Sequence, residues 1–153
     1  MYARILVPID GSPCSDRGLD EAIALARLSG GGLRLLHIVD DLILVTSIDG
    51  AAAMNAALVP LLRQGGESLL QAGRARAAAA GLVVETCLLE RLAGRVCDLV
   101  VEQAQAWPAD LIVLGTHGRR GIGRVLLGSD AEQIVRQAPT PVLLVRTVPP
   151  PAG

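Results

Sequence analysis

The sequence predicts an α/β fold, a five-stranded parallel sheet with helices on both faces. Two observations carry this. Short apolar runs alternate along the chain with segments whose apolar residues recur at helical spacing, the signature of βαβ units. The runs themselves are solidly apolar instead of alternating with polar residues, as strands buried on both faces require. The chain has 153 residues, 51% of them apolar, which suits one domain with a sizeable core. No internal repeat or second domain is visible.

The elements follow in order. Ile5 to Ile9 is a continuous apolar run that ends at Asp10-Gly11. Ser12-Pro13 reads as the N-cap and first position of a helix. Leu19, Ala22, Ile23 and Ala26 continue it at helical spacing, and Gly30-Gly31-Gly32 stops it. Leu33 to Val39 is the second strand, and Asp40 to Gly50 has no period and reads as a loop. A long Ala-rich helix is predicted from about Ala51 to Ala80, with a bend or break at Gly65-Gly66 and Gly73. Val83 to Glu90 is the third strand, carrying charges that suit an edge. Ala93, Val96, Cys97, Val100, Val101 and Ala104 line one face of the next helix. Asp110 to Gly115 is the fourth strand, and a loop runs from Thr116 to about Val125. Ala131, Ile134, Val135 and Ala138 mark the last helix. Pro139-Thr140-Pro141 breaks it, and Val142 to Val145 is the fifth strand. The folded domain thus spans 1–147, with 148–153 a disordered Pro-rich tail.

Composition excludes several classes of function. The formal charge is −1 and there is one Tyr, one Trp and no Phe, so neither a basic stripe nor a stacking platform for nucleic acid exists. No apolar run approaches the ~20 residues that span a bilayer. The apolar stretch near the start is too short for a signal peptide, and a cytoplasmic location is expected. All fourteen basic residues are Arg, which removes Schiff-base, phosphate-loop and general-base lysines. Cys14, Cys87 and Cys97 are widely spaced without a CxxC and read as small core residues.

The stretch Gly115 to Ser129, GTHGRRGIGRVLLGS, carries the chemistry. Glycines 115, 118, 121, 123 and 128 fall between a strand and a helix. Such glycines let backbone N–H groups approach phosphates. Ser129 is positioned to cap the following helix, whose N-terminus favours an anion. In open α/β sheets ligands bind outside the carboxyl ends of the strands. The first strand ends there in Pro8-Ile9-Asp10-Gly11-Ser12 and the fourth in Gly115-Thr116-His117-Gly118. Two familiar phosphate motifs fail. Gly121-Ile122-Gly123 lacks the third glycine of a dinucleotide fingerprint, since position 126 is Leu. Gly123 to Ser129 has Walker-like glycine spacing, but Ser129 stands where the lysine belongs.

A third pattern fits. Gly115-x2-Gly118-x9-Gly128-Ser129 resembles the nucleotide loop of the ATP-binding branch of the universal stress protein family. The resemblance covers nearly the whole chain, including ILVPIDGS, HIVD, ADLIVLGTHGRRG and LLGSDAEQIVRQAPTPVLLVR. It implies a Rossmann-like nucleotide-binding fold with strand order 3-2-1-4-5, and a homodimer. With Val142 to Val145 then at a sheet edge, pairing through that strand is expected. By motif position the resemblance gives Asp10 a contact with the adenosine moiety, and Pro8 and Val39 the lining of the base pocket. Gly115 and Gly118 would approach ribose and phosphates. Gly128, Ser129 and the amide of Asp130 would hold the phosphates, which in turn would carry most of the bonds to Mg2+ or Mn2+. Ser12, His117 and Arg119 complete the candidate set, with Arg120 and Arg124 as further phosphate partners. Asp130 departs from the small or apolar residue usual at this position. It suits a helix start but sits poorly beside a triphosphate. His37, mid-strand, reads as a core histidine with a local hydrogen bond.

Three functions fit this reading. The first is an ATP-binding stress-response or regulatory module acting by nucleotide-dependent association. The second is a slow ATP hydrolase or adenylate-transferring enzyme, opposed by the missing Lys and the lack of an evident general base. The third is a dimerisation module without nucleotide, opposed by the complete glycine pattern.

Overall fold

A computed structural model describes residues 1–40, 51–116 and 127–147. The loop predicted before Gly50, the middle of the glycine-rich stretch with His117, Gly118 and Arg119, and the Pro-rich tail lie outside the described residues. The elements are β1 (Arg4–Pro8), α1 (Pro13–Ser29), β2 (Gly32–Val39), α2 (Ala51–Ala79), β3 (Val84–Glu90), α3 (Val96–Ala106), β4 (Leu111–Gly115), α4 (Ser129–Gln137) and β5 (Val142–Val145). The five strands form one parallel sheet in the order β3-β2-β1-β4-β5, as expected.

The layering follows from the handedness of βαβ crossovers. From β1 the chain winds outward to β2 and β3, which puts α1 and α2 on one face. It then crosses to β4 and β5 in the opposite direction, and the same hand puts α3 and α4 on the other face. Successive strand residues point to opposite faces, so Ile5, Val7, Leu33, Leu35, Leu111 and Val113 pack with Leu19, Ala22, Leu70 and Ala77. Leu6, Leu36, Ile112 and Leu114 pack with Cys97, Val100, Ala104, Ala131 and Ile134. Both faces of the central strands are dry, which is why these strands read as unbroken apolar runs.

Two expectations are corrected. The long helix neither breaks nor ends at its glycines; α2 runs uninterrupted from Ala51 to Ala79, with Pro60 inside it. Gly66 and Gly73 lie seven residues apart on the face that meets the sheet. A Cβ at Gly66 would stand 2.5 Å from His37 Cδ2 and 2.9 Å from Leu88 Cδ1. One at Gly73 would stand 2.9 Å from Leu35 Cδ1. These glycines let the helix lie close to β2 and β3, and that packing outweighs their helix-propensity cost of ~1 kcal/mol each. The second correction concerns Ala93. It precedes α3, whose N-cap is Arg95.

Candidate functional site

The turn after β1 is built by its own side chains. Asp10 Oδ1 accepts from the Ser12 amide at 2.9 Å, the Asx turn that an Asp-Gly-Ser string favours. Gly11 takes φ 78°, the left-handed conformation that glycine adopts without steric cost. Ser12 Oγ accepts from the Ser15 amide and caps α1. Ser15 Oγ in turn accepts from the Asp10 amide at 3.1 Å. Asp10 is thereby held at the carboxyl end of β1, beside the end of β4.

At that neighbouring end, Gly115 meets the first turn of α1. A Cβ there would lie 2.7 Å from the Cys14 carbonyl carbon and 3.0 Å from the Ser15 amide nitrogen. Gly115 therefore has a packing reason to be glycine beside any ligand role. The Cys14 thiol reaches the Val145 carbonyl at 3.2 Å and ties α1 to β5. After the glycine-rich stretch the Gly128 amide donates to the Thr116 carbonyl at 2.8 Å, which brings the start of α4 back over the end of β4. The N-cap of α4 is Gly128, which has no side chain to cap the helix. This corrects the expectation for Ser129, which is the first helical residue. With no capping side chain, the first-turn N–H groups present partial positive charge at the crevice.

These ends open into a cavity of about 740 Å³. Of the predicted site residues, Pro8, Asp10, Val39, Gly115, Gly128, Ser129 and Asp130 line it. Ser12 does not; it is buried and its hydroxyl serves the α1 cap. Sequence reasoning missed several lining residues, among them His37, Asp40 and the α2 wall, where Leu61, Leu62, Gly65 and Gly66 border the cavity. The Gly65-Gly66 pair was a visible signal, read as a helix breaker instead of a close approach. His37 is buried as expected, and its Nδ1 lies 2.8 Å from the Ile9 carbonyl oxygen.

The lining is mainly apolar toward β2 and α2 and polar toward β4 and α4. Asp10, Asp40 and Asp130 give it carboxylates. Asp40 is paired with Arg91, whose Nε donates to it at 3.0 Å and whose Nη1 donates to the Gly94 carbonyl at 2.8 Å. Among the described residues no group of three His, Cys, Asp or Glu could hold a metal ion. The Cys87 and Cys97 thiols are not poised as nucleophiles. Burial pushes the Cys97 thiol up, with the neighbouring Asp98 adding to the effect. Burial likewise raises the Cys87 thiol. Among the described residues no helix is long and apolar enough to cross a membrane.

The same architecture occurs in known proteins. A universal stress protein of Methanocaldococcus jannaschii is 33% identical over 148 residues, covering 95% of this chain and 83% of its own length. The solved structure of the hypothetical protein MJ0577 superposes with a TM-score of 0.87 at 23% identity, over 98% of this chain and 99% of that one. A universal stress protein crystallised in complex with cAMP matches with a TM-score of 0.66 and 28% identity, over 96% and 98% of the two chains. The sequence profile of the universal stress protein family matches residues 1–146. A parallel sheet that reverses its winding between β1 and β4, a family profile matching residues 1–146 and a 33% identical relative aligned over 83% of its own length together establish that this chain belongs to the universal stress protein family.

Proposed function

We propose that this chain binds ATP with a divalent ion and acts as a stress-response or regulatory module through nucleotide-dependent association, without fast catalysis. The observation that carries the reading is the uncapped N-terminus of α4 opening into a cavity at the sheet's switch point, opposite Asp10. Helix N-termini favour phosphate, and the volume lies within the ~300–1,000 Å³ usual for small-molecule sites. The related protein crystallised with cAMP supports a nucleotide as the occupant.

In this reading Pro8 and Val39 border the base and Asp10 meets the adenosine moiety. Gly128, Ser129 and the amide of Asp130 hold the phosphates, Gly115 and Gly118 approach ribose and phosphates, and His117 and Arg119 are further candidate contacts to the nucleotide. Hard cations prefer oxygen ligands. With three carboxylates in the wall and, among the described residues, no ready-made cluster to bind a free ion, Mg2+ or Mn2+ would be held mainly by the phosphates. The protein is proposed to be cytoplasmic, without nucleic-acid or membrane partners, and to dimerise through β5, which is an edge strand. Calorimetry with magnesium ATP tests the central claim. A folded sample that gives no heat at millimolar ATP refutes it. Phosphoryl transfer needs charge stabilisation and a positioned nucleophile, and the chain has no Lys. Turnover sustained near ~1 s⁻¹, an ordinary enzyme rate, in preparations cleared of contaminating ATPases would favour the hydrolase instead.

A further inference from the structure

The peptide unit that leads into Asp10 is gripped at both ends by side chains from two different elements. Its carbonyl, that of Ile9, lies 2.8 Å from His37 Nδ1 on β2. A carbonyl only accepts, so Nδ1 must carry the proton. Its N–H, that of Asp10, donates to Ser15 Oγ on α1 at 3.1 Å. Both His37 and Ser15 are buried. The Ile9 amide continues the ladder to the Leu36 carbonyl at 2.8 Å, so β1 enters this unit in fixed register. A peptide is planar and rigid. Fixing its C=O and its N–H fixes the plane and the place of Asp10 Cα, and the Ser12 amide's 2.9 Å bond to Asp10 Oδ1 limits the remaining rotation about N–Cα.

The rest of the neighbourhood is shaped to allow this grip. His37 sits beneath α2 at Gly66, where any Cβ would stand 2.5 Å from the ring. Glycine at 66 is what leaves the imidazole room to reach across to Ile9. Ser15 is itself held, since its own amide donates to Ser12 Oγ at 3.2 Å.

We propose that His37 and Ser15 form a clamp on the Ile9–Asp10 peptide and act as positioning residues that aim the Asp10 carboxylate into the cavity. The proposal rests on the nucleotide reading above, and assigns a purpose to a histidine that touches the cavity from the α2 side. Neither residue is required to contact the nucleotide.

The test is a mutant cycle on the full chain, read by calorimetry with magnesium ATP and by thermal unfolding. His37→Leu and Ser15→Ala should each weaken ATP binding about tenfold, the value of one misdirected hydrogen bond to a charged group. His37→Asn should recover most of the loss, because its Nδ2–H stands near the lost Nδ1–H. In an Asp10→Ala background His37→Leu should cost no further affinity, since a clamp acts only through Asp10. In the unmodified protein the 15N spectrum should show His37 protonated at Nδ1. Ser15→Ala keeps the test decisive if His37→Leu does not fold. Unchanged affinity in folded single variants overturns the clamp, as does a loss that persists in full without Asp10. A ring protonated only at Nε2 overturns it as well, whatever the nucleotide result. An unmodified chain that binds no ATP instead refutes the nucleotide reading, and with it the clamp's purpose.

Discussion

Adjacent glycines on α2 should respond in opposite directions to the same substitution. A Cβ at Gly66 meets His37 Cδ2 at 2.5 Å, Leu88 Cδ1 at 2.9 Å and His37 Nε2 at 3.1 Å. The imidazole is tied to the Ile9 carbonyl, so it moves only by giving up that bond. Overpacking of this kind costs ~1–3 kcal/mol, and losing the hydrogen bond adds ~1 kcal/mol. Against this stands a helix-propensity gain of ~1 kcal/mol for Gly→Ala. The net for Gly66→Ala is a destabilisation of about 1–3 kcal/mol. In a chain of this size each kcal/mol lowers Tm by ~2–4 °C, so a fall of roughly 2–12 °C is expected. Among the described residues nothing lies within 4 Å of the Cβ position of Gly65. Gly65→Ala should therefore gain most of the propensity term and raise Tm by about 2–4 °C. Thermal unfolding followed by circular dichroism, with urea titration as a check, measures both. A Gly66→Ala protein as stable as the unmodified chain would refute the close approach of α2 to β2, and a Gly65→Ala protein that loses stability would refute its open surroundings.

Further outcomes are expected at other sites. Asp130 is exposed at the start of α4 and borders the cavity. Two unit charges ~6 Å apart interact by roughly 3 kcal/mol at an effective dielectric near 20, and exposure screens part of this. Asp130→Val should tighten ATP binding about tenfold in metal-free buffer and much less with magnesium; equal affinities with the unmodified chain under both conditions would remove Asp130 from the site. Leu144→Asp, in the middle of the edge strand β5, should turn a dimer into a monomer by sedimentation at tens of micromolar, and a monomeric unmodified chain would contradict pairing through this edge. Arg34 hydrogen-bonds Glu85 and holds its carboxyl below the ordinary value of 4.5. A lowered carboxylate pKa contributes stability above 4.5 that disappears as pH falls through the folded value. Glu85→Gln should therefore cost less than ~1 kcal/mol at neutral pH, since the pair is exposed. That cost should vanish in acid and shrink in high salt, and one that persisted at pH 2 would mean the pair is not its origin.

Much of this architecture was legible because local and global preferences agree. The unbroken apolar runs at Ile5 and Leu111 read as strands buried on both faces, and Ser12-Pro13 and Gly30 bracket α1 by their backbone preferences alone. The Asp10-Gly11-Ser12 turn is equally local, since its hydrogen bonds join residues within five positions of one another. Where a residue's role depends on a distant neighbour, the sequence was silent or misleading. Gly66 and Gly73 read as breaks because propensity is a property of the helix alone, whereas the close approach of Leu35, Leu88 and His37 exists only once the sheet has formed. Gly115 carried a ligand signal but not its contact with the first turn of α1, a meeting of residues one hundred positions apart. Ser129 looked like a cap by its type and place, yet the chain path that brings Gly128 to the Thr116 carbonyl makes Gly128 the cap. The sequence by itself determined the elements, their burial on two faces and the end of the sheet where a ligand would sit, because periodicity and turn chemistry are short-range. The tertiary structure alone decided which face of α2 walls the cavity and which side chains hold the Ile9–Asp10 peptide. Those depend on distances between elements that no local pattern encodes.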